Sequence, residues 1–134
     1  MVTMKAIYQG QKHCQLTHAP SGSTIETDAP KDNQGKGERF SPTDLVGAAL
    51  ASCVLTTMAI VAERDGLSLE GATAEVEKHM VPDPRRIGAL PLRVTLPAAL
   101  TAEQRKKLEN TANHCPVHKS LHPDLKAEIN FSYV

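Results

Sequence analysis

The stretch Leu45 to Ala62, LVGAALASCVLTTMAIVA, runs for 18 residues without a charge and holds more Gly, Ala, Ser and Thr than Leu and Ile. A run of this length reaches the threshold for a membrane-spanning helix. Its small-residue composition argues otherwise, and the basic residues on both sides, Lys36 and Arg39 before it and Arg64 after it, supply no topological bias. A central helix buried within a soluble domain fits better. Ser41-Pro42-Thr43-Asp44 gives that helix a start: Ser41 can cap, Pro42 has a preset φ for the first helical position, and Asp44 places a carboxylate near the positive end of the dipole. The helix is expected to run to about Arg64 and stop before Gly66. Because it is apolar on nearly every side, burial all round is expected, and its small residues allow another helix to approach closely.

The remaining sequence reads as strands and one further helix around this element. Met4, Ala6 and Tyr8, then Cys14, Leu16 and His18, alternate with polar residues, and a turn at Pro20-Ser21-Gly22 leads into Ser23 to Thr27. Asp28 to Glu38, with two glycines and a proline, is expected to form a mobile surface loop and a lid candidate. Ala72 to Met80 and Leu90 to Leu96 alternate as two strands, separated by an irregular connection at Pro82-Asp83-Pro84 and Gly88. Thr101 with Gln104 forms a capping-box pattern for a second helix, which places Leu108 and Ala112 on one face with Cys115. A last strand follows at Ala127 to Tyr133. The expected order is βββ-α-ββ-α-β, an α+β chain with a mostly antiparallel sheet, and 134 residues suit one domain over 1–134.

Composition narrows the function classes. Fifteen basic residues balance fifteen acidic ones, so no net charge draws the chain to nucleic acid or anionic lipid. Two Phe, two Tyr and no Trp leave no platform for stacking bases. The first ten residues contain no signal-peptide core, so a cytoplasmic location is expected. Three widely spaced cysteines, Cys14, Cys53 and Cys115, are too few for a disulfide scaffold, and a reducing compartment with buried or chemically used thiols follows.

Cys53 lies inside the first helix, on a face shared with Leu45, Ala49 and Ile60, where a small buried hydrophobe is the simplest reading. Cys115 differs. It precedes Pro116 in His114-Cys115-Pro116-Val117-His118, so it is expected to cap a short helix whose amides and dipole stabilise a thiolate, with His114 and His118 adding to the effect. The His114, Cys115 and His118 group lacks the second spaced ligand pair of a zinc site, and no metal is expected. His13, His18, His79 and His122 read as surface or strand-face residues, and Cys14 as a core residue.

The two cysteine segments, SPTDLVGAALASC ending at Cys53 and CPVHKSL beginning at Cys115, together resemble the signatures of the OsmC/Ohr family of thiol peroxidases. The resemblance implies an intertwined homodimer with sites at the subunit interface, a peroxidatic Cys53 and a resolving Cys115. It also implies a hydroperoxide substrate, better organic than small and polar, no cofactor, and an unidentified thiol or dithiol reductant. A buried thiol needs a cation nearby to ionise, and Arg39 is the first candidate. Thr43, Asp44, His114 and His118 complete the expected binding residues. The chain departs from the organic hydroperoxide reductases in two places: Thr43 stands where they carry the Glu that orients their activating Arg, and residues 1–38 contain no Arg. Two further readings therefore stay open, a dimer that binds an apolar small molecule without fast turnover, and a redox sensor.

Overall fold

The computed structural model describes all residues, Met1–Val134. Residue contacts divide it into two compact units, Met1–Val46 and Gly47–Val134.

The first unit is a three-stranded antiparallel sheet of β1 (Met4–Tyr8), β2 (His13–His18) and β3 (Thr24–Asp28), in that order. The first hairpin turns through Gly10, Gln11 and Lys12, all at positive φ. Register pairs Ala6 with Leu16 and Leu16 with Ile25, and Tyr8 with Cys14 and Cys14 with Thr27. Directly opposed residues point to the same face, so Met4, Ala6, Tyr8, Cys14, Leu16 and Ile25 form a largely apolar face that His18 and Thr27 share. Met4, Tyr8 and Ile25 on it are exposed, and the only buried residues of this unit are the polar Thr27, Asp28 and Ser41. The segment expected as a lid contains a short 3-10 turn at Lys31–Asn33.

The long helix α1 spans Pro42–Arg64, as its sequence signals require. Ser41 Oγ accepts the Asp44 N–H at 3.1 Å while the Asp44 carboxylate accepts the Ser41 N–H at 2.9 Å. The pair is a reciprocal cap, more specific than the dipole contact expected of Asp44. At the other end Gly66 takes φ +71° just past the last turn.

The second unit holds every fully buried apolar side chain. Its sheet consists of β4 (Thr73–Val76), β7 (Leu92–Leu96) and β8 (Ile129–Tyr133), in that order, with β4 antiparallel and β8 parallel to the central β7. Leu92, Val94 and Leu96 are buried while Arg93 between them is exposed. A separate hairpin pairs β5 (His79–Val81) with β6 (Arg86–Ala89). A Cβ added at Gly47 would meet Leu90 at 3.4 Å and Val76 at 3.7 Å, so the helix stripe that continues through Leu50, Val54, Met58 and Ala62 lies over the sheet. The opposite stripe, Ala49, Ser52, Thr56 and Ile60, is exposed. Burial all round is thus not achieved within one chain. By length and composition α1 could also cross a membrane, but its core-facing stripe is that of a helix packed on protein.

Two expected strands are four. The alternation from Ala72 to Met80 breaks after Val76, because β4 pairs with β7 and β5 pairs with β6. The run from Leu90 to Leu96 begins only at Leu92: Pro91 has no N–H for the ladder, although its carbonyl accepts from Glu77. The irregular connection at Pro82 to Pro84 is the tight turn of the β5–β6 hairpin, covered by Arg86 Nη1 donating to the carbonyls of Pro82 and Pro84 at 2.9 Å. Helix α2 (Ala102–Ala112) carries the complete Thr101–Gln104 capping box and buries Leu108 and Ala112. Helix α3 (Pro116–Ser120) follows directly.

Candidate functional site

Pro116 fixes the first turn of α3 and pushes Cys115 into extended backbone, φ −67° and ψ 149°. In that conformation Cys115 is the N-cap, and its Sγ accepts the His118 N–H at 3.3 Å. The residue is completely buried. Cys53, half-buried on α1, has its Sγ 3.8 Å from Thr57 Oγ1 and lies near enough to the Cys115 thiol to raise its pKa. Both are free thiols. Two cysteines remote in sequence are therefore neighbours at the border between the buried and exposed stripes of α1.

Their environments differ. Burial pushes the Cys115 thiol above its ordinary value, the His118 amide opposes this, and the pairing with Cys53 raises it further. This corrects the expectation that capping would favour a Cys115 thiolate: the amide is present as expected, but loss of water outweighs it. At neutral pH Cys115 is a thiol. Cys53, in contrast to the buried hydrophobe its helical position suggested, reaches the surface beside exposed Ala49 and Ile60.

The other expected residues occupy distinct places. Arg39 donates from Nε to Glu26 Oε2 at 3.5 Å and from Nη1 to the Glu38 carbonyl at 3.3 Å. Thr43 Oγ1 lies 3.2 Å from Ser41 Oγ, so Thr43 and Asp44 belong to the helix cap. The exposed His114 ring bonds through Nδ1 to the Asn110 carbonyl at 2.7 Å, within the last turn of α2. His118 contributes its backbone amide to Cys115.

Two features escaped the sequence reading. Thr57, one turn after Cys53, was hidden in an apolar run. His13, expected as a simple strand-face residue, is clamped between Asp28 (Nδ1 to Oδ1, 2.6 Å) and Glu26 (Nε2 to Oε1, 3.1 Å). The β2–β3 register, which sets His13 opposite Asp28, is what would have revealed it.

Comparison with known proteins gives a consistent picture. The family model for OsmC-like proteins matches residues 35–130. A protein of Psychrobacter arcticus 273-4, named for osmotic stress induction and a detoxification response, is 45% identical with a TM-score of 0.94, over 98% of this chain and 96% of its own. The organic hydroperoxide resistance protein OsmC of Legionella pneumophila is 20% identical with a TM-score of 0.76, over 98% and 96% of the two chains. An OsmC-like protein of Mycoplasma pneumoniae is 18% identical with a TM-score of 0.84, over 100% and 97%. The last two likenesses are of fold. No curated protein matches the chain.

Proposed function

Because the chain belongs to the OsmC-like family, whose model spans residues 35–130, we propose that it reduces organic hydroperoxides through Cys53 and Cys115 as part of a defence against oxidative stress. The observation that carries this reading is the proximity of two free thiols of unequal access, Cys53 half-buried and Cys115 fully buried. Relatives of the same fold named for organic hydroperoxide resistance support the substrate class.

The roles follow from access. The Cys53 thiolate attacks the terminal oxygen of R–O–O–H. The O–O bond breaks, the alkoxide takes a proton and leaves as the alcohol, and Cys53 becomes a sulfenic acid. Cys115, shielded from peroxide, gives up its proton and bonds to the Cys53 sulfur, and the hydroxyl leaves as water. The two thiols lose two electrons and the peroxide gains them. An external thiol or dithiol then reduces the disulfide. The raised Cys115 pKa suits this order, since it keeps Cys115 protonated until its partner carries an electrophilic sulfur.

The acting form in this reading is a homodimer. The exposed small-residue stripe of α1, which ends in Ile60, and the uncovered face with Met4, Tyr8 and Ile25 are surfaces that a second copy would bury.

Cumene hydroperoxide consumption with dithiothreitol as reductant tests the assignment. Cys53→Ser is expected to reduce turnover at least about 100-fold, within the range by which loss of a nucleophile affects rate. Without dithiothreitol, Cys115→Ser should complete one turnover and accumulate a sulfenic acid that dimedone traps on Cys53. Full turnover by Cys53→Ser overturns the proposal, and slow peroxide loss independent of both cysteines would favour the binding dimer.

A further inference from the structure

We propose that Thr57 is the hydroxyl partner of the Cys53 sulfur, orienting it and donating a hydrogen bond to its thiolate; this rests on the reading that Cys53 is the attacking thiol.

Helical side chains lean toward the N-terminus, so a residue lies over the turn that precedes it. Thr57 thus covers the turn that contains Cys53, and its Oγ1 stands 3.8 Å from Sγ, within reach of a sulfur hydrogen bond. A threonine is a mediocre choice inside a helix, where its branched side chain loses rotamer freedom. The residues before and after Cys53 on this helix include Ala48, Ala49, Ala51 and Ala59, so a better helix former was open at this position. The hydroxyl is what Thr57 adds.

The Cys53 sulfur consequently has two polar neighbours, the Cys115 thiol and the Thr57 hydroxyl. Cys115 is consumed when the disulfide forms, whereas Thr57 keeps its proton through the whole cycle. In the reduced state either group can donate. Once Cys53 ionises, its sulfur only accepts, and the hydroxyl must donate. A hydrogen bond to an ionised acceptor is about twice as strong as a neutral one. The contact therefore strengthens on the way to the thiolate and holds the sulfur while Cys115 reacts.

Thr57→Val keeps the shape and removes the hydroxyl, and Thr57→Ser restores it. The measurement is the rate of Cys53 alkylation by iodoacetamide as a function of pH, resolved by peptide mass spectrometry on the full three-cysteine chain. Thr57→Val should move the midpoint of that profile upward by about one unit, slowing alkylation up to about tenfold below the midpoint. Above the midpoint its rate should equal or exceed that of the parent, because a more basic thiolate is intrinsically more nucleophilic. Thr57→Ser should follow the parent. A packing defect would change the rate at all pH values without this crossing. Superimposable profiles for Thr57→Val and the parent overturn the proposal, as does a Thr57→Ser profile that follows Thr57→Val. Alkylation needs no peroxide. A shifted profile in a protein without peroxide turnover would uphold Thr57 and refute the peroxidase reading. Cys53-dependent turnover with an unshifted profile would do the reverse.

Discussion

The two units of this chain are held together in different ways. In Gly47–Val134 the buried residues are aliphatic, with Leu50, Val54 and Met58 of α1 and Leu92, Val94 and Leu96 of β7 excluded from solvent. In Met1–Val46 no apolar side chain is buried, and the best-buried side chains are polar: Thr27, Asp28 and Ser41. The second unit depends on removing hydrocarbon from water. The first depends on backbone pairing and a charged clamp, His13 between Asp28 and Glu26, while its apolar face stays open. A unit with a closed aliphatic core can keep a thiol protonated, as it does Cys115. A unit without one has unspent apolar surface for another molecule.

Truncation should expose this contrast most strongly. Leu50→Ala removes methyl groups from a site with no solvent access and should cost about 2–5 kcal/mol. Ile25→Ala, on the open face of the first unit, should change stability by less than about 0.5 kcal/mol while the chain is a single copy. Urea midpoints measured over a range of protein concentrations check both. If the Ile25→Ala cost grows with concentration, a second copy covers that face, since whatever binds only the folded state adds to its stability. A Leu50→Ala cost below about 1 kcal/mol would break the contrast itself.

How far the sequence announced these features depends on whether the cause was local. The cap at Ser41, the stop at Gly66, the Thr101–Gln104 box and Cys115 before Pro116 are each set by neighbours in the chain, and each forms as expected. The split of two strands into four follows from a change of pairing partner, from β7 to β6, and its only local mark is Lys78, which interrupts the apolar positions between Val76 and Met80. Likewise, the raised Cys115 pKa arises from burial by distant residues, which a cap motif cannot report. That Cys53 and Cys115 are neighbours was implied only by resemblance. The His13 clamp depends on the register of two strands, and no local pattern encodes it.

That clamp makes the first unit sensitive to pH below neutrality and around it. The His13 pKa is raised above 6.5, first by its hydrogen bond to Asp28 and then by that to Glu26, and the Asp28 pKa is lowered below 3.8 chiefly by His13. Protonated His13 stabilises the fold fully below 6.5, and this contribution disappears as pH rises through the raised value. Ionised Asp28 stabilises it fully above 3.8, and that contribution is lost as pH falls through the lowered value. The clamp is therefore strongest between 3.8 and 6.5. Asp28→Asn should lower the His13 midpoint followed by NMR, and it should destabilise the protein most within that window and less at pH 8. It also weakens the carboxylate that accepts the Glu38 N–H at 3.2 Å, so trypsin should cut sooner at Lys36 and Arg39. An unchanged His13 titration would mean that the clamp does not persist in solution.

The smallest effect concerns a polar network within the aliphatic unit. Tyr133 of β8 donates its O–H to Glu109 Oε1 at 2.5 Å, and the Arg105 guanidinium stacks over its ring at 3.9 Å while bonding to the carbonyls of Leu100 and Ala98. Burial first, then the Glu109 carboxylate, push the phenol to about 12. Tyr133→Phe keeps the ring and the stacking but loses the hydrogen bond, which should cost roughly 0.5–1.5 kcal/mol. The neutral phenol favours the fold fully below pH 10, and this contribution declines as pH rises from 10 towards about 12, because the unfolded chain ionises first. The variant should therefore be less stable than the parent at pH 8, and its stability should fall less steeply above pH 10. A cost equal to that of Leu50→Ala would show that polar contacts carry this unit as much as its core does, and the division between the two units would then lie in which partners the charged groups find.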